Sequence, residues 1–233
     1  ENNATVISRI NNFFIFILFI EFCFEDKQSY LSSLFYFENN KPMPKILLVN
    51  NAEPGIHDFT KPLEKIATRY GNAVIIEYKD CASICKKNFD GIILSGSPQG
   101  DDIVEHHLPY YKWLEETEKP VLGICAGHHI TGYLFGAKLL RKQEPESGDF
   151  FVTIVAKDPV LHEIANPFRV KQMHNDSITL PNNFGLLGTS KVCRNQLMKH
   201  KQKPIYTCQF HPEFYNHRLI QNFIKLCTNK KEK

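Results

Sequence analysis

Residues 119–129, KPVLGICAGHH, place a cysteine between two glycines at the end of a short apolar run. The run 121–124 has the length and composition of a buried strand, and a helix is predicted to follow at roughly 127–135. Glycines two residues on either side of a central residue are typical of a nucleophile elbow, a strained strand-to-helix turn whose central side chain projects clear of the sheet. The projecting group here would be the thiol of Cys125.

Two interpretations of Cys125 stay open from the elbow alone. A helix that starts just after it would direct N-terminal N–H groups and the positive end of the helix dipole at the sulfur. Such a site favours the thiolate and supplies backbone donors for a developing oxyanion. Free cysteine is also among the most buried residue types and commonly serves as inert packing.

The segments before the elbow alternate between strand and helix patterns. Apolar runs predict buried strands at 45–49, 73–78 and 89–94, and helical patterns occur at 59–70, 81–87 and 102–117, the last interrupted by Pro109. Repeated βα units of this kind imply an α/β fold with a mostly parallel central sheet, right-handed crossovers and flanking helices. Ligands of such sheets bind at the carboxyl ends of the strands.

Beyond Ala137 the apolar segments become shorter and more alternating. Strands are predicted at 150–156, 168–173, 185–189 and 205–210, followed by an amphipathic helix at 214–227. This pattern indicates a smaller, largely antiparallel extension that covers one side of the parallel sheet.

The loop 95–98, SGSP, follows the predicted strand 89–94, which comes before the strand 121–124 that ends at the elbow. The rule for the carboxyl ends of parallel strands therefore places this loop beside Cys125. A Gly-Ser-Pro sequence after a buried strand could be tight-turn chemistry alone. Its position also makes it a candidate for a second oxyanion donor.

A His-Pro-Glu sequence, His211 to Glu213, ends the last predicted strand. A thiol nucleophile needs a general base, and that imidazole needs an acceptor to fix its tautomer. Residues two apart on an extended backbone face the same side, and the intervening proline stiffens the spacing. Alone, the sequence is more typical of a turn, but together with the elbow it predicts a catalytic pair.

Three segments together resemble class I glutamine amidotransferases: the elbow 123–128 (GICAGH), the loop 95–98 (SGSP) and the box 209–213 (QFHPE). The similarity covers roughly residues 44–228. Within that class, residues 198–206 (MKHKQKPIY) followed by the His-Pro-Glu box most resemble the glutaminase subunit or domain of GMP synthase. The resemblance implies a flavodoxin-like arrangement of the sheet and helices.

The resemblance also implies a Cys-His-Glu triad, carried here by Cys125, His211 and Glu213. Cys125 would attack the side-chain amide of glutamine and form a γ-glutamyl thioester. His211 would pass the thiol proton to the departing ammonia and later activate water, and Glu213 would orient the imidazole. The backbone N–H groups of Ser97 and Ala126 would hold the oxyanion.

Substrate contacts are assigned by the same resemblance to Gly96, His129, His174 and Asn175. The family usually has glutamine where this chain has His129. An imidazole donates one hydrogen bond but cannot reproduce the paired donor and acceptor of an amide, so the affinity or specificity for glutamine is expected to differ. Residues 172–177 (QMHNDS) resemble the family's Ser-His-x-Asp segment without its serine, and His174 fits a core or turn residue as well as a functional one.

A further departure concerns the loop 95–98, where Gly-Ser-Pro replaces the commoner Gly-Gly-Pro. If this position requires a positive φ, Ser97 carries a strain that glycine would avoid.

Composition argues against several classes of protein and site. The 233 residues carry 28 basic and 25 acidic side chains with a net charge of +3, which does not favour nucleic-acid binding. The basic run 199–203 (KHKQK) is interpreted as a solvated loop, since no aromatic residues interleave it. Seven scattered cysteines without C-x-x-C spacing favour a reducing, cytoplasmic setting, and neither a metal nor a cofactor is expected.

Residues 1–42 differ from the rest in being crowded with Phe, Ile and Asn. Their apolar run is shorter than the roughly 18–20 residues needed to span a bilayer, and it lacks the features of a signal peptide. The sequence begins with Glu1, whereas Met43 immediately precedes the first clean strand. We therefore expect an amidotransferase domain at 43–233, a preceding segment foreign to the natural protein, and no membrane association; a genuine amphipathic anchor is the alternative.

Three functions follow from the sequence. The first is a glutaminase that supplies ammonia to a GMP-forming synthetase on a separate, ATP-dependent chain, because no Gly-rich phosphate loop occurs in this sequence. The second is a γ-glutamyl peptidase or hydrolase that uses the same triad, which His129 and Ser97 favour. The third is a non-catalytic amidotransferase-like protein, which the presence of all three triad residues disfavours.

Overall fold

The structure is a computed structural model that describes residues 42–84, 88–99, 103–141 and 144–228. The extension at 1–41, and with it the expected start at Met43, lies outside the described residues. The end of the helical piece predicted at 81–87 lies outside them as well.

The described chain contains eleven strands and six α-helices. In chain order the strands are β1 (Lys45–Asn50), β2 (Asn72–Glu77), β3 (Gly91–Leu94), β4 (Val121–Ile124), β5 (Leu139–Leu140), β6 (Glu146–Ile154), β7 (Phe168–His174), β8 (Ser177–Ile178), β9 (Phe184–Thr189), β10 (Leu197–His200) and β11 (Ile205–Cys208). The helices are α1 (Thr60–Ala67), α2 (Cys81–Ile84), α3 (Ile103–His107), α4 (Ala126–Leu134), α5 (Pro212–Tyr215) and α6 (His217–Thr228).

Nine strands form one mixed sheet in the order β2-β1-β3-β4-β11-β10-β9-β6-β7. The first five are parallel, and the pairings from β11 to β7 are antiparallel. The α/β class and the mostly parallel centre are confirmed. The antiparallel extension continues the same sheet beyond β11, and β5 and β8 form a separate antiparallel pair.

The central strands are covered on both faces, which explains their uninterrupted apolar sequences. In β1, Ile46 and Leu48 belong to the core that includes residues of α1 and α6. Leu47 and Val49 belong to the opposite core, with residues of α3 and α4. Because successive side chains of a strand point to opposite faces, apolar residues are favoured at consecutive positions of such a strand.

Two predicted helices are broken in the structure. Within 102–117, α3 ends at His107 and two 3₁₀ turns follow, Leu108–Tyr110 and Lys112–Glu115, with Pro109 in the first. Proline lacks the N–H that an α-helix would need there and clashes with the preceding turn. The helix predicted at 214–227 is divided into α5 and α6 at Asn216, whose φ and ψ of −114° and 49° are not helical.

The basic run 199–203 lies partly in a strand. Lys199 and His200 end β10, so only 201–203 of the run predicted as a loop lie outside a strand. None of the described helices combines the length and the apolar character that crossing a membrane requires.

Gly127→Ala is expected to destabilise the fold by about 1–3 kcal/mol, because a Cβ there would lie 2.7 Å from Leu94 Cβ and 2.8 Å from Leu94 O. Relief of backbone entropy in a helix offsets only part of this, up to about 1 kcal/mol. The measurement is urea unfolding of the full chain. Gly185→Ala is the matched control, since its nearest neighbour would be 3.9 Å away. Equal midpoints for the two variants would contradict the close approach.

Candidate active site

Cys125 occupies a strained turn between β4 and α4. Its φ of 48° and ψ of −100° are unusual for a residue with a side chain, and only Glu163 among the other described non-glycine residues has a positive φ. The turn is held by hydrogen bonds from Cys125 N to Cys208 O (2.9 Å) and from His129 N to Cys125 O (3.0 Å). The thiol residue is 9% exposed, against 0% for Cys208 beside it.

The flanking glycines serve close packing, and neither has a positive φ. A Cβ on Gly123 would lie 2.6 Å from Gly127 O, so the strand and the first turn of the helix are almost in contact. The elbow predicted from the sequence is present, but the strain falls on the cysteine rather than on the glycines.

His211 and Glu213 form a buried pair at the carboxyl end of β11. His211 Nδ1 donates a hydrogen bond of 2.7 Å to Glu213 Oε1. The His211 backbone N donates to Lys171 O at 2.9 Å, and the ring stacks on Phe59 with centroids 4.8 Å apart. A Cβ on Gly96 would come within 2.6 Å of His211 Cε1, so the absence of a side chain at Gly96 makes room for the imidazole.

The route by which these two residues meet differs from the prediction. His211 is extended, with φ −99° and ψ 93°, but Pro212 begins α5 and Glu213 lies in its first turn. The carboxylate therefore reaches the imidazole from a helical turn and not from the same face of a strand. Proline suits this position because a helix needs no N–H at its first residue.

The pKa of His211 depends on both Glu213 and Cys125. Burial alone would lower the pKa of His211, but the charges of Glu213 and Cys125, with a side-chain hydrogen bond to each, raise it to about 10. The imidazole is therefore protonated at neutral pH when the carboxylate and the thiolate lie beside it. An imidazolium between a carboxylate and a thiolate can hold the sulfur as a nucleophile and release a proton to a leaving group.

The predicted oxyanion donors are the N–H groups of Ser97, in the loop 95–98, and of Ala126, at the start of α4, and these two segments contact each other. Gly127 N, in the first turn of α4, donates to Ser95 O at 3.3 Å and so ties the elbow to the loop 95–98. Ala126 and Gly96 are buried and Ser97 is half-buried. Ser97 does not have a positive φ, so the strain considered for serine at this position does not arise.

His129 is buried and donates a hydrogen bond from Nε2 to Gln209 Oε1 at 2.7 Å. Burial is the main cause that lowers the pKa of His129 to about 4, so the ring is neutral near neutral pH. The amide nitrogen of Gln209 is buried and has no hydrogen-bond partner among the described residues.

His174 and Asn175, which were both assigned to substrate contacts, differ in burial. His174 is buried, with Nε2 3.0 Å from Glu146 Oε2 and Nδ1 2.9 Å from Asp176 O. Both ring nitrogens are engaged by protein groups, which favours the core interpretation of His174. Asn175 is exposed in the turn after β7.

Sequence reasoning missed several residues that support the site. Phe59 was interpreted only as part of a helix face, and Gln209 only as part of the box. Glu146, which also accepts hydrogen bonds from Gln196 Nε2 (2.7 Å) and Ser190 Oγ (3.0 Å), was not singled out. Glu146 and His174 face each other across the neighbouring strands β6 and β7, and this pair leaves no local sequence signal, since the partners are 28 residues apart.

The remaining described cysteines are buried thiols, and no group of three or more His, Cys, Asp and Glu residues in the described ranges could hold a metal ion. Burial, followed by the nearby charges of Glu213 and Cys125, raises the pKa of Cys208 far above its usual range. Cys208 is therefore a poor nucleophile despite its position next to Cys125.

Comparison with known proteins gives independent evidence for the family of this chain. The family model for class I glutamine amidotransferase matches residues 55–229. One of the subunits of the glutamine-hydrolysing GMP synthase of Thermoplasma acidophilum is 31% identical over 196 residues, which cover 82% of this chain and 96% of that protein. The corresponding protein of Methanospirillum hungatei is 35% identical over 164 residues, covering 68% of this chain and 85% of that one.

Solved structures agree in fold. The crystal structure of a proposed GMP synthase subunit from Thermoplasma acidophilum has a TM-score of 0.72 at 29% identity, covering 79% of this chain and 94% of that one. A glutamine amidotransferase from Thermotoga maritima has a TM-score of 0.65 and covers 81% of this chain and 99% of that one. At 17% identity, the second similarity shows the shared fold alone.

Proposed function

This chain belongs to the class I glutamine amidotransferases, and from that premise we propose that it hydrolyses the side-chain amide of glutamine through Cys125, His211 and Glu213. The observation that carries the proposal is the meeting of an elbow cysteine with a buried His–Glu pair that begins 86 residues later (211 minus 125). His211 hydrogen-bonds Glu213 at 2.7 Å and is influenced directly by the charge of Cys125.

The proposed reaction has two halves. The Cys125 thiolate attacks the side-chain carbonyl carbon of glutamine, the carbon–nitrogen bond breaks, and the His211 imidazolium gives its proton to the departing ammonia. A γ-glutamyl thioester remains. The now neutral His211 takes a proton from water, which attacks the thioester, and glutamate leaves as the thiolate is restored. Glu213 keeps the imidazole in one orientation throughout.

Charge develops on the carbonyl oxygen in both halves. The N–H of Ala126 is the first of α4, and the first N–H groups of a helix have no intrahelical acceptor. The N–H of Ser97 comes from the loop that Gly127 N joins to the elbow. We assign these two N–H groups to the oxyanion, which preorganised donors stabilise without further rearrangement.

The partner is proposed from the relatives. Each is named as one subunit of a glutamine-hydrolysing GMP synthase, and such a name implies a further chain. We propose that the released ammonia is consumed by a separate ATP-dependent synthetase, with GMP as its product. The five free cysteines of the described chain fit a reducing, cytoplasmic setting.

A second candidate is a γ-glutamyl peptidase with the same triad. The observation that favours it is the His129–Gln209 pair, since a buried neutral imidazole stands where the family usually has an amide. The chemistry at Cys125 would be unchanged, and only the group that leaves would differ. A non-catalytic role is disfavoured, because a strained elbow and a buried ion pair would have no use without the reaction.

The test measures turnover and labelling on the same preparation. We expect ammonia release from glutamine to be at least about 10-fold faster than cleavage of a γ-glutamyl dipeptide, the scale of discrimination that one pocket contact provides. A glutamine-like diazo-ketone should modify Cys125 and leave Cys208 intact, as read by peptide mass spectrometry. Peptide cleavage without glutaminase activity would establish the second candidate, and labelling at Cys208 would contradict both.

A further inference from the structure

A buried hydrogen-bond network surrounds Asn51, the residue after β1. Asn51 is 0% exposed, and its side-chain Nδ2 donates to Ser95 O at 2.6 Å. Its Oδ1 accepts a hydrogen bond from Tyr111 OH, and its backbone O accepts one from His107 Nε2 at 3.1 Å. Its backbone N donates to Ser95 Oγ at 3.0 Å. All four polar groups of this asparagine are thus engaged, and two of them hold the same serine.

Ser95 links Asn51 by hydrogen bonds to the loop 95–98 and to the elbow. Its hydroxyl, fixed by Asn51 N, donates to Gly96 O at 2.7 Å. Its carbonyl accepts from both Asn51 Nδ2 and Gly127 N. The network therefore joins the end of β1, the loop 95–98 and the first turn of α4 through a single residue.

The orientation of one peptide plane follows from the Ser95 hydroxyl. The only cis peptide bond among the described residues is Asn166–Pro167, so the Gly96–Ser97 bond is trans. In a planar trans peptide the C=O and the N–H point in opposite directions. Holding Gly96 O toward Ser95 Oγ therefore aims the Ser97 N–H away from Ser95.

We propose that Asn51 and Ser95 are positioning residues that aim the Ser97 N–H at the oxyanion. The inference rests on the proposed function, in which this N–H stabilises the charged oxygen during glutamine hydrolysis. Neither residue needs to touch the substrate. Their effect is exerted on the Gly96–Ser97 peptide, and its strength depends on how rigidly Tyr111 and His107 hold Asn51.

The hydrogen-bond network around Asn51 is buried, which favours a rigid arrangement. Ser95 and Tyr111 are 0% exposed and His107 is 2% exposed, so these hydrogen bonds are shielded from solvent. Burial lowers the pKa of His107 to about 4, so the ring that donates to Asn51 O keeps one charge state across the neutral range. Buried networks in which every member is satisfied are rigid, because any unpaired group would carry a desolvation penalty.

Ser95→Ala removes the hydroxyl and keeps the amide contact of Asn51. We expect kcat for glutamine to fall by about 10- to 100-fold with KM within about threefold, part of the 10²–10³-fold that an oxyanion donor provides. The rate of Cys125 alkylation by iodoacetamide should not change, because that displacement forms no oxyanion. A merely structural role would lower both rates together.

A second variant covers the case in which Ser95→Ala does not fold. Tyr111→Phe removes one anchor of Asn51 and is expected to lower kcat by about 3- to 10-fold, the scale of one hydrogen bond. Tyr78→Phe is the matched control. It also deletes a hydroxyl from a fully buried tyrosine, but that hydroxyl has no hydrogen-bond partner among the described residues, and kcat should stay within about twofold.

The outcomes separate this inference from the proposed function. If wild-type protein releases ammonia from glutamine and a folded Ser95→Ala or Tyr111→Phe variant matches its kcat, the positioning role is wrong and the function stands. Equal losses in Tyr111→Phe and Tyr78→Phe would also overturn the positioning role. Absence of glutamine turnover in wild type would overturn the function, and with it this inference.

Discussion

Cys125→Ser is expected to lower kcat for glutamine hydrolysis by at least about 10⁴-fold, as removal of a nucleophile does in enzymes whose catalytic groups act as a unit. A serine hydroxyl at this position would stay protonated beside the His211 imidazolium, whereas the thiol can ionise. The backbone of the elbow should be unaffected, since serine keeps the shape and the same backbone hydrogen bonds. The measurement is ammonia release under saturating glutamine.

Cys208→Ser is the control for this variant. Cys208 ends the strand beside the elbow and is fully buried, and its Sγ donates to Phe210 O at 3.4 Å, a contact that a hydroxyl can keep. Its kcat should stay within about threefold of wild type, as expected of a substitution that preserves shape and bonding. Residual activity of Cys125→Ser near the wild-type rate would exclude a thioester mechanism.

Glu213→Gln is expected to lower kcat by about 10²- to 10⁴-fold, as loss of the orienting carboxylate does in related triads. Glutamine has the same size, but its neutral amide removes the charge that raises the pKa of His211 and can present an N–H to the imidazole. Glu118→Gln, on an exposed glutamate that pairs with Lys203 Nζ at 2.9 Å, is the control and should leave kcat unchanged.

The pH profile gives this variant a distinctive signature. In wild type the His211 pKa is raised to about 10, so the proton needed by departing ammonia is available until the pH approaches that value. Without the Glu213 charge, the alkaline limb of kcat should move to lower pH. An alkaline limb that stays in place while kcat falls would contradict the assigned role of Glu213.

The same ion pair predicts how stability depends on pH. His211 has a pKa above its ordinary 6.5, so the folded state binds this proton more tightly than the unfolded state does. The stabilisation is complete below pH 6.5 and is lost as the pH rises through about 10. The difference in unfolding free energy between wild type and Glu213→Gln should therefore shrink over that range.

Local sequence patterns were sufficient for the parallel half of the fold. The uninterrupted apolar runs at β1, β3 and β4 could be assigned because strands buried on both faces favour apolar residues at consecutive positions. The elbow and the His-Pro-Glu box were visible for a related reason, since each is contained within a few consecutive residues.

The remaining features depend on contacts between distant residues. Asn51 and Ser95 are 44 positions apart, and His129 and Gln209 are 80 apart, so neither pair has a local pattern. The division of the last helix at Asn216 was missed because the amphipathic spacing continues across it. The place of β10 inside the main sheet was missed because its basic residues suggested a loop.

The adjacency of β4 and β11 has one more consequence. Ile124 pairs with Cys208 in parallel register, so Cys125 and His211 follow the ends of neighbouring strands, which lie about 4.8 Å apart in the hydrogen-bonding direction. The spacing of the two groups is therefore set by the backbone ladder, and separating them would require breaking the sheet at its centre. We therefore expect any regulation of this amidotransferase to leave the spacing of Cys125 and His211 unchanged.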